Sequence, residues 1–223
     1  MQLSENIFSF LKELSKNNNR DWFSQHKKEY ESARLEMEIF CQSVHNQIAK
    51  EDFLSEAKVY RIYRDIRFSK DKTPFKEHFG GYFARKQPQH RGGYYIHISP
   101  TENFIGGGFF APNTQDLFRI RKEIELYPDE FQEIMNNEKI QKLFGDTLWG
   151  EELKTAPKGF DKQSPALSFL RKKQFLLKRD FTINEVLSTD FQEEVVKSFL
   201  ALRPFYDFMT TALTTDLNGE SIL

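Results

Sequence analysis

The chain has 223 residues, 32 Lys/Arg against 33 Asp/Glu, a net charge of −1, 39% apolar and 29% charged residues. That length suits one domain and would bury roughly 70% of the unfolded surface. The single cysteine, Cys41, excludes an intramolecular disulfide and fits a reducing compartment. Met1-Gln-Leu-Ser-Glu-Asn6 lacks the start of a secretion signal, and no run reaches the roughly 20 apolar residues of a membrane span, so a cytoplasmic protein without membrane contact is expected.

Ser4 is placed to cap a first helix through Leu14, with Ile7, Phe8, Leu11 and Leu14 on one stripe. Asn17-Asn18-Asn19 breaks it, and a longer helix is expected from Trp22, with Tyr30, Ala33, Met37, Phe40, Val44 and Ile48 at steps of three and four. Cys41 lies beside that stripe and reads as a buried, inert thiol. Alternation then predicts a strand over Val59–Arg67, with Tyr60, Ile62, Arg64 and Ile66 sharing a face, and another over Phe79–Arg85. Gly93–Ser99 and Phe104–Phe110, joined by Pro100-Thr-Glu-Asn103, read as a hairpin.

The second half reads as mostly helical. Asn113 is a plausible N-cap for a helix to Glu125. A further helix spans Asp129 to Phe144, an irregular loop spans Leu153 to Pro165, and a short helix Ala166 to Lys172. Gln174–Lys178 is a last strand. A terminal helix carrying Phe191 to Leu213 is interrupted near Pro204, and residues 214–223 are expected to fray. The pattern predicts a single α+β domain over residues 1–213, with a mostly antiparallel sheet of four or more strands flanked by helices. The 23 Phe are expected mainly in its core.

The candidate chemistry is concentrated between Lys58 and Arg91, where ten Lys/Arg and three Asp/Glu give +7 and leave −8 for the rest. Arg64, by parity among Tyr60, Ile62 and Ile66, needs a carboxylate or a ligand anion, because a buried unpaired charge is costly. Arg67, Lys70, Lys72 and Lys76 follow within one loop and are candidates to converge on a phosphate, with Lys173 in a second basic cluster. Gly106-Gly107-Gly108 within a strand point to a close approach, by a ligand or by a packed helix. His97 and Asp65 are weak candidates for proton transfer. No histidine or cysteine spacing supports a metal site, and no cofactor motif is present.

Several of these segments resemble an uncharacterised family of bacterial and fungal proteins classed as a conserved domain of unknown function. The resemblance rests on Asn19-Arg-Asp-Trp-Phe23, Arg64-Asp-Ile-Arg-Phe-Ser-Lys-Asp-Lys-Thr-Pro-Phe-Lys76, Gly93-Tyr-Tyr-Ile-His-Ile-Ser-Pro100, Gly106-Gly-Gly108, and Ala156-Pro-Lys-Gly-Phe160 through Pro165-Ala166 to Lys173. The chain departs from the pattern at Gln163-Ser164, where Asp-His is expected, and at Phe75, where Tyr is usual. The resemblance implies one α+β domain with the basic block as its signature, and carries over no catalytic residue or ligand.

These features give the expectation of an anion-binding domain for a phosphate-bearing small molecule or nucleotide, preferred over a long nucleic acid, which the −8 remainder would repel. The alternatives are an enzyme acting on a phosphorylated substrate and an interaction module docking an acidic partner. Whether the chain is an enzyme, and its oligomeric state, are left open by the sequence.

Overall fold

The computed structural model of the chain describes residues 1–216 and 218–223. Three helices come first: α1 (Glu5–Lys16), α2 (Arg20–Gln25) and α3 (Lys27–Ile48). The predicted apolar stripes are buried in both long helices. Ser4 does not cap α1 with its side chain. Its hydroxyl donates instead to Glu36 Oε2 at 2.8 Å, tying α1 to α3. The helix expected from Trp22 is two, because His26 leaves helical geometry at φ −108°, ψ 23°, with its ring stacked 4.0 Å from Trp22.

Five strands follow, β1 (Leu54–Val59), β2 (Phe79–Arg85), β3 (Gly93–Ile98), β4 (Asn103–Phe109) and β5 (Phe175–Phe181), in one antiparallel sheet ordered β1-β2-β3-β4-β5. The hairpin of β3 and β4 is as predicted. The strand expected over Val59–Arg67 is not: β1 ends at Val59, and residues 60–78 form a loop pinned by the Tyr63–Phe75 bridge. Arg64 N donates to Pro74 O at 2.9 Å and Lys76 N to Ile62 O at 2.6 Å. Ile62 and Phe75 are buried while Tyr60 and Tyr63 are exposed. Alternation of residue types here marks a loop anchored to the core at two apolar points.

Between β4 and β5 lie α4 (Thr114–Leu126), α5 (Pro128–Met135), α6 (Glu138–Phe144) and α7 (Leu167–Leu170); α8 (Ile183–Val186), α9 (Phe191–Ala201) and α10 (Arg203–Thr214) follow β5. Asn113 caps α4 as expected, accepting from Asp116 N. The single helix expected over 129–144 divides because Asn137 caps a new one, accepting from Lys139 N and Ile140 N. The short α8 was not foreseen, although Thr182 and Glu185 form a capping box. After α10 the chain turns back, with Ile222 N donating to Thr214 O at 2.9 Å.

Side chains alternate across the sheet. Phe79, Phe83, Tyr94, Ile96, Ile105, Phe175 and Leu177 are buried on the helical side, where α3, α9 and α10 cover the sheet through contacts such as Phe83–Phe199 and Tyr94–Tyr206. Cys41, on α3, faces Gly81 and is buried. Among the described residues no helix covers the centre of the opposite face, where Tyr82, Tyr95 and Phe104 are only half-buried, so an antiparallel sheet with one covered face leaves its other face for solvent or a ligand.

At the end of β2 the helical side carries a buried ion pair. Arg85 Nε and Nη2 reach both Asp52 oxygens at 2.9–3.2 Å, and the two side chains are 1% and 0% exposed. Tyr94 Oη donates to Asp52 Oδ2 at 2.6 Å, and the Arg85 guanidinium lies 4.8 Å over the Tyr206 ring. Tyr206 Oη donates to Gly93 O at 2.6 Å and accepts from Gly108 N at 2.7 Å. This network locks α10 to the glycine-bearing ends of β3 and β4.

Candidate functional site: an aromatic cleft on the open sheet face

The open face of the sheet holds a cleft of about 870 Å³, within the size range of small-molecule sites. Its floor derives from two matched pairs of residues. Tyr82 and Tyr95 are direct cross-strand partners. Tyr95 leans over Gly80, where an added Cβ would lie 2.5 Å from its Oη and 3.1 Å from ring carbons; Tyr82 leans over Gly93 in the same way. The absence of those two Cβ atoms makes room for both rings, which line the cleft. The repeated Gly-Gly-Tyr of 80–82 and 92–94 supplies three of these four residues, Gly80, Tyr82 and Gly93, and Tyr95 follows the second repeat.

Tyr60 flanks the two tyrosines at the β1 edge, and Phe104 and Trp149 line the β5 side, 6.1 Å apart. Lys178 Nζ lies 4.6 Å from the Phe104 ring and 5.5 Å from Trp149, paired with Glu102 and Asp180 at 2.7 and 2.8 Å. Burial, then the neighbouring Tyr60 and Glu102, pushes the Tyr95 hydroxyl up to about 12, so it stays a neutral donor. The far wall comes from Gln87, Arg91, and the turn Phe110–Asn113, where Ala111 takes a left-handed φ of 44°. Arg91 is bound at 2.5 Å to Asp116 in the first turn of α4, so its charge is already paired.

The glycine triplet answers the expectation of a close approach in two ways. Gly107 faces Leu202 and Tyr206 on the helical side, whereas Gly106 lies on the cleft side; all three line the cavity. His97 does not line the cleft; it stacks 4.8 Å from Phe104 and lies tilted by 30°, 4.2 Å from His78, with its Nδ1 3.4 Å from Tyr95 Oη. Burial holds both imidazoles below the usual range; His78 is also disfavoured as a cation by His97 and Lys76, and falls to about 4.

The basic residues of the loop do not gather as a cluster of free charges. Arg64 binds Asp71 at 2.5 Å and Arg67 binds Asp65 at 2.6 Å. Bonds from the Thr73 hydroxyl and N–H, then from Arg64, hold Asp71 far below the usual carboxylate range, and Arg67 lowers Asp65. Lys72 Nζ donates to Ile66 O at 3.0 Å. Lys173 binds Glu151 at 2.8 Å and precedes β5, at the other edge of the sheet, about 19 Å away at ~4.8 Å per strand. It does not close over the loop. Among the described residues, Lys70, Lys76 and Arg61 make no ion pair. Arg61, Arg64 and Lys76 line a shallow groove of about 420 Å³ with Tyr60, Tyr63 and Asp65. Tyr60 therefore borders both cavities, and Lys76 Nζ stands 6.0 Å over its ring.

Tyr82, Phe104, Trp149 and Lys178 were not singled out from the sequence. Outward-facing aromatics of a half-covered sheet look like core residues until one knows which face the helices take. Among the described residues no group of three or more His, Cys, Asp or Glu is placed to hold a metal ion, and no helix is long and apolar enough to cross a membrane.

The model of one family, described as "Conserved hypothetical protein (DUF2461)", matches residues 6–208, and the chain belongs to that family. No curated protein and no solved structure matches it.

Proposed function

We propose that this member of the DUF2461 family binds a nucleotide or a similar planar, phosphate-bearing molecule in the aromatic cleft, with the ring on the tyrosine floor and the phosphate in the groove of Arg61, Arg64 and Lys76. The observation that carries this reading is the shared position of Tyr60, which puts a stacking surface and unpaired cations side by side. A ring stacked on an aromatic face gains about 1–3 kcal/mol, largely regardless of base identity. A phosphate gains charge-assisted bonds to guanidinium and ammonium groups.

Two features favour this over an anion held by the loop alone. Two of the six loop cations, Arg64 and Arg67, already have carboxylate partners, so a phosphate at those two would compete with Asp71 and Asp65. The cleft, by contrast, is lined by five aromatic rings, two of them, Tyr60 and Trp149, exposed. Asp65 lines the groove but is tied to Arg67, which favours its charged form, and His97 does not line the cleft; neither supports a proton-transfer role.

Titration calorimetry of the full chain against nucleoside mono-, di- and triphosphates tests the reading. Binding is expected, weakened about tenfold by Tyr60→Ala and made less salt-dependent by Arg61→Ala or Lys76→Ala. Failure of every nucleotide to bind, or binding indifferent to all three substitutions, would overturn it.

A further inference from the structure

We infer that the cleft takes a short single strand of nucleic acid, about three linked nucleotides, in preference to a lone nucleotide; this rests on the reading above. The rings form a row across the strands: Tyr60 beside β1, Tyr82 on β2, Tyr95 on β3, Phe104 on β4 and Trp149 against β5. At ~4.8 Å per strand the row runs about 19 Å, farther than one base and its phosphate extend. It also divides into two stacking places. Tyr60, Tyr82 and Tyr95 form one. Phe104 and Trp149, tilted 49° to each other with Lys178 over both rings, form the other. A single nucleotide fills one and leaves the other empty.

The charges agree with a strand that is short. Arg61 and Lys76 lie at the β1 end, whereas Lys178 at the β5 end is already held by Glu102 and Asp180, so free positive charge is confined to one end and Lys178 serves the second stacking place by lying over its rings. Beyond the cleft and the basic segment the chain carries −8, which repels a longer polyanion. Flat tyrosine and phenylalanine faces accept any base, so little sequence preference is expected.

The experiment uses the full chain and thymidylate oligomers of one, three and six nucleotides, with affinity from calorimetry over a salt series. The trimer is expected to bind at least about tenfold tighter than the monomer, with the hexamer adding little. The salt slope should deepen by about 0.7 per phosphate engaged. Trimer, unlike monomer, should quench Trp149 emission, with Trp149→Phe as the control for Trp22. Phe104→Ala and Lys178→Gln should each weaken the trimer several-fold and spare the monomer; Lys178→Gln removes no core side chain, so it remains interpretable if Phe104→Ala disturbs the fold. Equal affinity for monomer and trimer, or a Lys178→Gln variant that weakens both alike, would overturn the inference and leave the nucleotide reading standing. Binding of neither removes both.

Discussion

Replacing Asp52 with Ala leaves Arg85 as a buried guanidinium without its principal counter-ion. Both side chains are essentially inaccessible, and three short contacts join them. Removing one partner of such a pair typically costs about 3–5 kcal/mol, because the remaining charge keeps its desolvation penalty. Asp207, exposed and 3.5 Å from Arg85 Nη2, takes up part of the charge and sets the expected loss near the lower end, about 3 kcal/mol. For a chain of this size each kcal/mol lowers Tm by about 2–4 °C, giving a fall of about 6–12 °C. Urea unfolding followed by circular dichroism measures the loss. The double variant Asp52→Leu/Arg85→Met should recover a large part of it, since an apolar replacement removes both charges together. A loss for Asp52→Ala below about 1 kcal/mol, the value of an exposed pair, would refute the reasoning. Acid provides a second check. Burial alone would raise the Asp52 carboxyl, but bonds from Arg85 and Tyr94 outweigh it and leave the value below the usual 3.8. Its contribution is therefore complete above that value and lost as pH falls through the lowered one. The site should respond as well: Arg85 Nη1 donates to Arg91 O at 3.2 Å, so loosening Arg85 loosens the rim of the cleft.

Gly108 has φ 133°, and an added Cβ would run into the Phe175 carbonyl; Gly108→Ala should lose about 2 kcal/mol or more by urea titration, whereas Gly80→Ala, which meets only the movable end of Tyr95, should change stability little while weakening ligand binding. NMR titration should place the His78 midpoint near 4 rather than 6.5. Because that folded value is depressed, its stability contribution is present above pH 6.5 and lost as pH falls towards 4, and His78→Phe should flatten that slope in acid unfolding. Burial pushes the Cys41 thiol up to about 12, so a thiol-specific chromogenic reagent at pH 8 should label it only as fast as the protein opens; rapid labelling of the native chain would contradict its position beneath Gly81.

The fold class, the apolar stripes of α1 and α3 and the hairpin of β3 and β4 were legible in the sequence because they follow from local periodicity. Stripes at steps of three and four, alternation at steps of two, and caps such as Asn113 act over a few residues, and nothing distant has to be known. Where local signals competed, distant contacts decided. Tyr60 to Arg67 alternates like a strand, yet β2 already has β1 on that edge, and burial of Ile62 and Phe75 folds the segment into a loop. Ser4 has the chemistry of a cap, but Glu36 of another helix holds its hydroxyl.

The site divides along the same line. Its cations were visible by charge, and the glycines as an anomaly in a strand, since composition alone reveals both. Which cations stay free depended on Asp65, Asp71 and Glu151 arriving as partners, a matter of loop and edge geometry. Which aromatics face outward depended on which side of the sheet α3, α9 and α10 cover. A side chain's type sets what it can bind; only packing decides whether it is spent inside the molecule or left open to a guest.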